Sequence, residues 1–154
     1  MKKQLKSFGY AFYGIFSALK EEGHLRFHFV AAVYVIVFSF FFDLSAAEFA
    51  AVLLIIGAVI SAELFNTSVE RLSDKITTDF DVDIKFIKDV CAGAVLVLSA
   101  AAIAIAFIIF FKPKKITAIA IHFIKNPILL ILFILSLIIS VAFIWLMPKG
   151  IHKE

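Results

Sequence analysis

Cysteine, glycine and charge are all scarce in this chain, and each shortage removes a class of protein. The single cysteine, Cys91, excludes an intrachain disulfide and any thiolate cluster for a metal. It reads as a small apolar residue packed in a helix. The six glycines (9, 14, 23, 57, 93 and 150) never gather into a phosphate-cradling loop, and no Gly-x4-Gly-Lys-Ser/Thr segment occurs. Any nucleotide is therefore bound without a P-loop. No Ser-His-Asp arrangement or histidine-rich metal motif is present either. Charged residues amount to only 18% of the chain, with a net charge of +3. That excess is too small and too dispersed to attract nucleic acid; it suits lysines and arginines anchoring helix ends at an anionic leaflet.

What fills the space is hydrocarbon. Hydrophobic residues make up 63% of the 154 residues, with 19 phenylalanines, and the mean hydropathy is +1.05. A soluble domain is roughly half apolar, so this composition calls for lipid as solvent. The pattern predicts an all-α integral membrane protein. Met1-Lys2-Lys3 is not followed by the clean apolar core of a cleavable signal. From Leu5 to Leu19 apolar residues recur at helical spacing, with Lys2, Lys3, Lys6 and Lys20 placed to meet headgroups, which predicts an N-terminal interfacial amphipathic helix. Four apolar segments follow: Phe27 to Phe42, which is short for a full crossing, Ala46 to about Asn66, Val90 to Phe111, and Pro127 to Met147. Pro113 stops the third helix. Between the third and fourth spans, Lys112 to Asn126 predicts a second interfacial segment. The expected division is a membrane domain over residues 1–111 and a C-terminal extension over 112–154.

Basic residues in short loops set the orientation. The N-terminal region and the loop from Arg71 to Lys88 are rich in them, whereas the turn from Asp43 to Glu48 has none. The N-terminus is thus expected on the cytoplasmic side of the cell membrane. The fourth segment breaks the pattern, because alternation places Lys112, Lys114, Lys115 and Lys125 outside. It is either a tolerated exception or an incomplete crossing.

The chemistry concentrates in Ala62 to Asp74, AELFNTSVERLSD. Glu63, Asn66, Glu70 and Asp74 fall at i, i+3, i+7 and i+11, on one face of a helix that grows directly out of an apolar run. Ionisable groups entering a bilayer mark a functional site. Three stacked acids repel one another and call for a cation, a metal ion being the simplest. Glu22 with Arg26, and Lys88 with Asp89, are expected at the same membrane face. Carboxylates for Mg²⁺, a lysine for phosphate and a spare carboxylate for a hydroxyl proton suit transfer from a metal–nucleotide complex to a lipid alcohol. Plainer readings stand beside this one. Glu22 and Arg26 form an i, i+4 ion pair, and Lys88 and Asp89 serve as interfacial anchors. Asp79, Asp81 and Asp83 lack the glycine and terminal glutamate of an EF-hand and read as a solvated turn. His28 and His122 read as packed or snorkelling.

These motifs resemble those of the small integral-membrane lipid kinases of bacteria, the diacylglycerol kinase and undecaprenol kinase family. ELFNTSVE (Glu63 to Glu70) is similar to that family's ExxNxxxE core, Lys88 to Val95 to its KDxxxxAV segment, and Gly9-Tyr10, Gly14, Ala18, Glu22 and Arg26 to its GYxxxGxxxAxxxExxxR stretch. The resemblance covers about residues 5 to 111. It implies an interfacial helix with a three-helix transmembrane kinase core, assembled as a homotrimer with active sites shared between subunits. It makes Glu63 the general base and Glu22 and Glu70 the ligands of Mg²⁺. Tyr10, Glu22, Asn66, Glu70, Asp74, Lys88 and Asp89 become the ATP site, with Lys6 and Arg26 as ATP or headgroup contacts. The chain departs from the family's pattern after Phe111, where a fourth apolar helix is added, expected to be peripheral.

The resulting expectation is an ATP- and Mg²⁺-dependent kinase of a membrane lipid alcohol, undecaprenol first and diacylglycerol as the close alternative. A small transporter is the reading from another class, but it would carry polar groups at mid-membrane depth. A non-catalytic scaffold would not need the full set of acids.

Overall fold

The computed structural model describes residues 2–147 as six helices, with no strand among them. They are α1 (Lys2–Glu21), α2 (Gly23–Ser39), α3 (Ala46–Ile76), α4 (Val82–Phe110), α5 (Pro113–Lys125) and α6 (Pro127–Leu146). Helices α3, α4 and α6 are long and apolar enough to cross a membrane. Helix α2, with 17 residues, sits at the lower limit of about 17–25 for a span. The expected all-α membrane architecture stands.

Local chemistry explains the boundaries. Ser45 opens α3 with a capping box: its hydroxyl accepts from the Glu48 N–H at 3.2 Å, and Glu48 accepts from the Ser45 N–H at 2.8 Å. Asp43, just before it, holds φ 51°, a left-handed turn that a short polar side chain tolerates. The Asp81 carboxylate opens α4 by accepting from the N–H groups of Asp83 and Ile84, both at 2.9 Å. That carboxylate is a helix cap within a polar turn. Prolines begin both α5 and α6, where a missing N–H costs nothing.

Packing is thin, as lipid-facing helices allow. The buried apolar residues are few, Leu25, Val52 and Val59 among them, while large side chains such as Leu54, Leu96 and Ile103 are exposed. Helices α3 and α4 run antiparallel as the main pair, and α2 lies against α3. Helix α6 packs along the other side of α2, antiparallel to it. Phe133 meets Phe38 edge-on at 5.8 Å, Tyr34 reaches Ser136 and Ser140, and Arg26 reaches the Ile144 carbonyl. The last turn of α6 therefore returns to the end of the bundle where α1 meets α2. Of the two readings left open for the fourth segment, its course beside α2 fits a crossing.

Two of the four lysines that strained the charge rule, Lys112 and Lys115, meet acids at the opposite end. Lys112 pairs with Glu48 at 3.4 Å, and Lys115 pairs with Asp43, both acids of the α2–α3 corner.

Candidate active site

The apolar run and the acidic strip are one unbroken helix, α3, so its register fixes the strip. Glu63 is buried, 5% exposed, where the strip begins. Thr67 and Ser73 are also buried along α3. The Asn66 amide donates to Glu70 Oε1 at 3.0 Å, one turn on. Asn66 Oδ1 is itself buried and has no hydrogen-bond partner. An unpaired buried acceptor is costly, and it points to a donor or cation that arrives with a ligand. At the far end of the strip Asp74 accepts from Lys88 Nζ at 2.9 Å, tying α3 to α4. Asp89 pairs instead with Lys85, one turn earlier, at 2.5 Å.

Glu22 is the single residue between α1 and α2, held extended at φ −106° and ψ 116°. Its neighbour Glu21 pairs with Arg71 of α3 at 2.9 Å, which draws the α1–α2 corner against the residue following Glu70. Arg26 faces inward. It is 4% exposed, and its guanidinium donates to the carbonyls of Leu19, Lys20 and Ile144. The expected i, i+4 pairing with Glu22 is thus replaced by three backbone acceptors. Lys6 and Tyr10 lie on the exposed surface of α1. Helical rise puts Tyr10 about 18 Å along α1 from Glu22, so a single chain does not bring it to the strip.

The sequence reading of His28 as packed or snorkelling does not anticipate its neighbour. The His28 Nε2 lies 3.9 Å from Glu63 Oε1, across the α2–α3 contact. The available signal was its register: His28, Ala32 and Val35 share one face of α2, the face turned to α3.

Among the described residues no three His, Cys, Asp or Glu side chains gather closely enough to enclose a metal. Mg²⁺ characteristically takes one or two carboxylates and completes its shell with water and substrate phosphates. Glu70, the orphaned Asn66 oxygen and Glu22 are hard oxygen donors of the fitting type.

A buried carboxylate, Glu63, thus heads a polar face on α3 that carries Asn66, Glu70 and Asp74, with the Lys88 ammonium of α4 bonded to Asp74. Residues 9–110 match the prokaryotic diacylglycerol kinase family model. The chain is also 36% identical over 110 residues to the undecaprenol kinase of Bacillus subtilis (strain 168), covering 71% of this chain and 89% of that one. The chain belongs to the prokaryotic diacylglycerol kinase family, and it is a lipid kinase. No solved structure matches it. The family match ends where α4 ends, so α5 and α6 lie outside it.

Proposed function

We propose that the chain transfers the γ-phosphoryl group of ATP to undecaprenol at the cytoplasmic face of the cell membrane, with Glu63 as general base. The likeness to an undecaprenol kinase carries the choice of substrate. The burial of Glu63 at the membrane end of the acidic strip carries the choice of base. The lipid's tail lies along the apolar part of α3, and its hydroxyl meets Glu63 where that part ends. Glu63 takes the hydroxyl proton as the oxygen attacks the γ-phosphorus, and ADP leaves in line.

Glu22 and Glu70 hold Mg²⁺, which supplies positive charge to the phosphate oxygens. Asn66 turns its unpaired oxygen to the same complex. Lys88 offers its ammonium to phosphate, and Asp74 holds that ammonium in place. Tyr10, Asp89 and Lys6 complete the ATP site from a neighbouring subunit of a homotrimer. One observation supports sharing: a single chain leaves Tyr10, 75% exposed, far from its own strip.

The name of the family model favours diacylglycerol as a second reading. Phosphate transfer from labelled ATP in mixed micelles, with each lipid offered alone, tests both. Preferential labelling of undecaprenol is expected; preferential labelling of diacylglycerol reverses the assignment.

A further inference from the structure

Arg26 is the only buried cation among the described residues, and its partners explain why it can be buried. The last carbonyls of a helix lack intrahelical donors and carry the negative end of its dipole. In α1 the Ala18 carbonyl is met by the Glu22 N–H at 2.9 Å. Those of Leu19 and Lys20 are met by Arg26 Nη1 at 3.3 and 3.1 Å. Arg26 therefore caps α1 from one turn inside α2, and Glu22 is the residue trapped between the two.

The remaining bond leaves the kinase core. Arg26 Nε donates to the Ile144 carbonyl of α6 at 3.1 Å. Position 148 is a proline with no N–H, so that carbonyl has no donor four residues on along the chain. The acceptor is thus built into the sequence of α6.

Burial does little to hold α6 in place. No residue of α6 is buried, and an apolar groove of about 670 Å³ remains between it and α2, lined by Val33, Val37, Phe38, Leu132 and Ile139. What docks α6 is a short set of polar and ring contacts. Tyr34 Oη lies 2.9 Å from Ser136 Oγ and 3.1 Å from Ser140 Oγ at mid-helix, and the Arg26–Ile144 bond closes the end.

We propose that α6, the helix added beyond the family's extent, is a positioning element of the kinase site. Through the Ile144 carbonyl on Arg26 it fixes the α1–α2 corner, and with it Glu22, so that docking of α6 sets the affinity for Mg²⁺–ATP. Arg26 is accordingly a positioning residue and not a ligand contact. This rests on the reading of Glu22 as a metal ligand.

The test uses the full chain in mixed micelles and separates KM for Mg²⁺–ATP from kcat. The variants are Arg26→Gln, Arg26→Lys, Glu22→Gln and a docking triple, Tyr34→Phe with Ser136→Ala and Ser140→Ala, which lies two turns from the corner. Arg26→Gln is expected to raise KM about tenfold with kcat retained, because a ligand held less firmly costs ground-state and transition-state binding alike. Arg26→Lys, which keeps the charge without the fork, should fall between. The docking triple should raise KM in the same direction, and its combination with Arg26→Gln should be less than multiplicative, as expected for coupled sites. A role confined to folding would instead lower the active fraction, and hence kcat, at constant KM. A docking triple with wild-type KM overturns the proposal, whatever Arg26→Gln does. A wild-type Mg²⁺ titration in Glu22→Gln removes the ligand reading separately. Should Arg26→Gln fail to fold, the triple and Arg26→Lys decide alone.

Discussion

Glu63→Gln is the substitution that most directly interrogates the site. Glutamine has the shape of glutamate, so at a position only 5% exposed it leaves no cavity to confuse the result. It replaces a carboxylate that can take a proton with an amide that cannot. Loss of a positioned general base costs about 10²–10⁴ in rate, which is about 2.7–5.4 kcal/mol of transition-state stabilisation at 1.36 kcal/mol per decade. Mg²⁺–ATP binding should survive, because the proposed metal ligands Glu70 and Glu22 lie about two turns on along α3 and on the α1–α2 corner. His28, 3.9 Å from the native carboxylate, would then face an uncharged amide, so a small change in stability is expected. The assay is phosphate transfer to undecaprenol in mixed micelles, with nucleotide affinity measured independently on the same sample. A kcat within about threefold of wild type, against the expected two decades or more, refutes the assignment of Glu63 as base.

Three further substitutions test the surroundings. Glu70→Ala removes one proposed ligand and the acceptor of the Asn66 amide, so a higher Mg²⁺ requirement is expected; an unchanged metal titration defeats the role. Lys88→Ala should weaken ATP binding while altering stability by less than about 1 kcal/mol, since its partner Asp74 is 69% exposed and surface pairs contribute little. Unaltered ATP affinity in that variant would take Lys88 out of the site. Asp81→Ala strips the cap from α4 and should cost about 1 kcal/mol in unfolding titrations without changing metal affinity; a shift in the metal titration would make the Asp79–Asp83 turn a cation site after all.

Much of this was legible from the chain because helical periodicity needs no partner to be read. The strip from Glu63 to Asp74 has one geometry on any α-helix, and α3 delivers it. The Asp79–Asp83 segment reads from the sequence as a solvated turn, and the structure adds the cap that Asp81 places on α4. What escaped was set by long-range contact. Nothing in the sequence near Arg26 says that its acceptors are the end of the preceding helix and a carbonyl 118 residues away. His28 looks like any histidine in an apolar stretch until α2 is laid on α3 and Glu63 faces it. Local spacing offered Arg26 only the i, i+4 partner Glu22; burial at the corner supplied better-placed acceptors.

The fourth apolar segment shows why counting charges alone does not decide whether a segment crosses. Lys112, Lys114, Lys115 and Lys125 look like a basic loop on the wrong side, and they argue against α6 crossing. Two of the four, however, face acids: Lys112 meets Glu48 and Lys115 meets Asp43. Asp43 lies in the connection between α2 and α3 and Glu48 in the first turn of α3, a corner with no basic residue from 43 to 48. The helix-opening capping box, which holds Glu48 beside Ser45, thus also holds a counter-charge for α5. The end of the bundle opposite the acidic strip is closer to neutral than its lysines suggest, and the penalty for leaving α6 there to begin its return is correspondingly small. That return carries Ile144 back to Arg26. The charge pairs at one end of the bundle and the buried arginine at the other are consequently parts of one arrangement, in which an added helix is threaded back to the corner that holds Glu22.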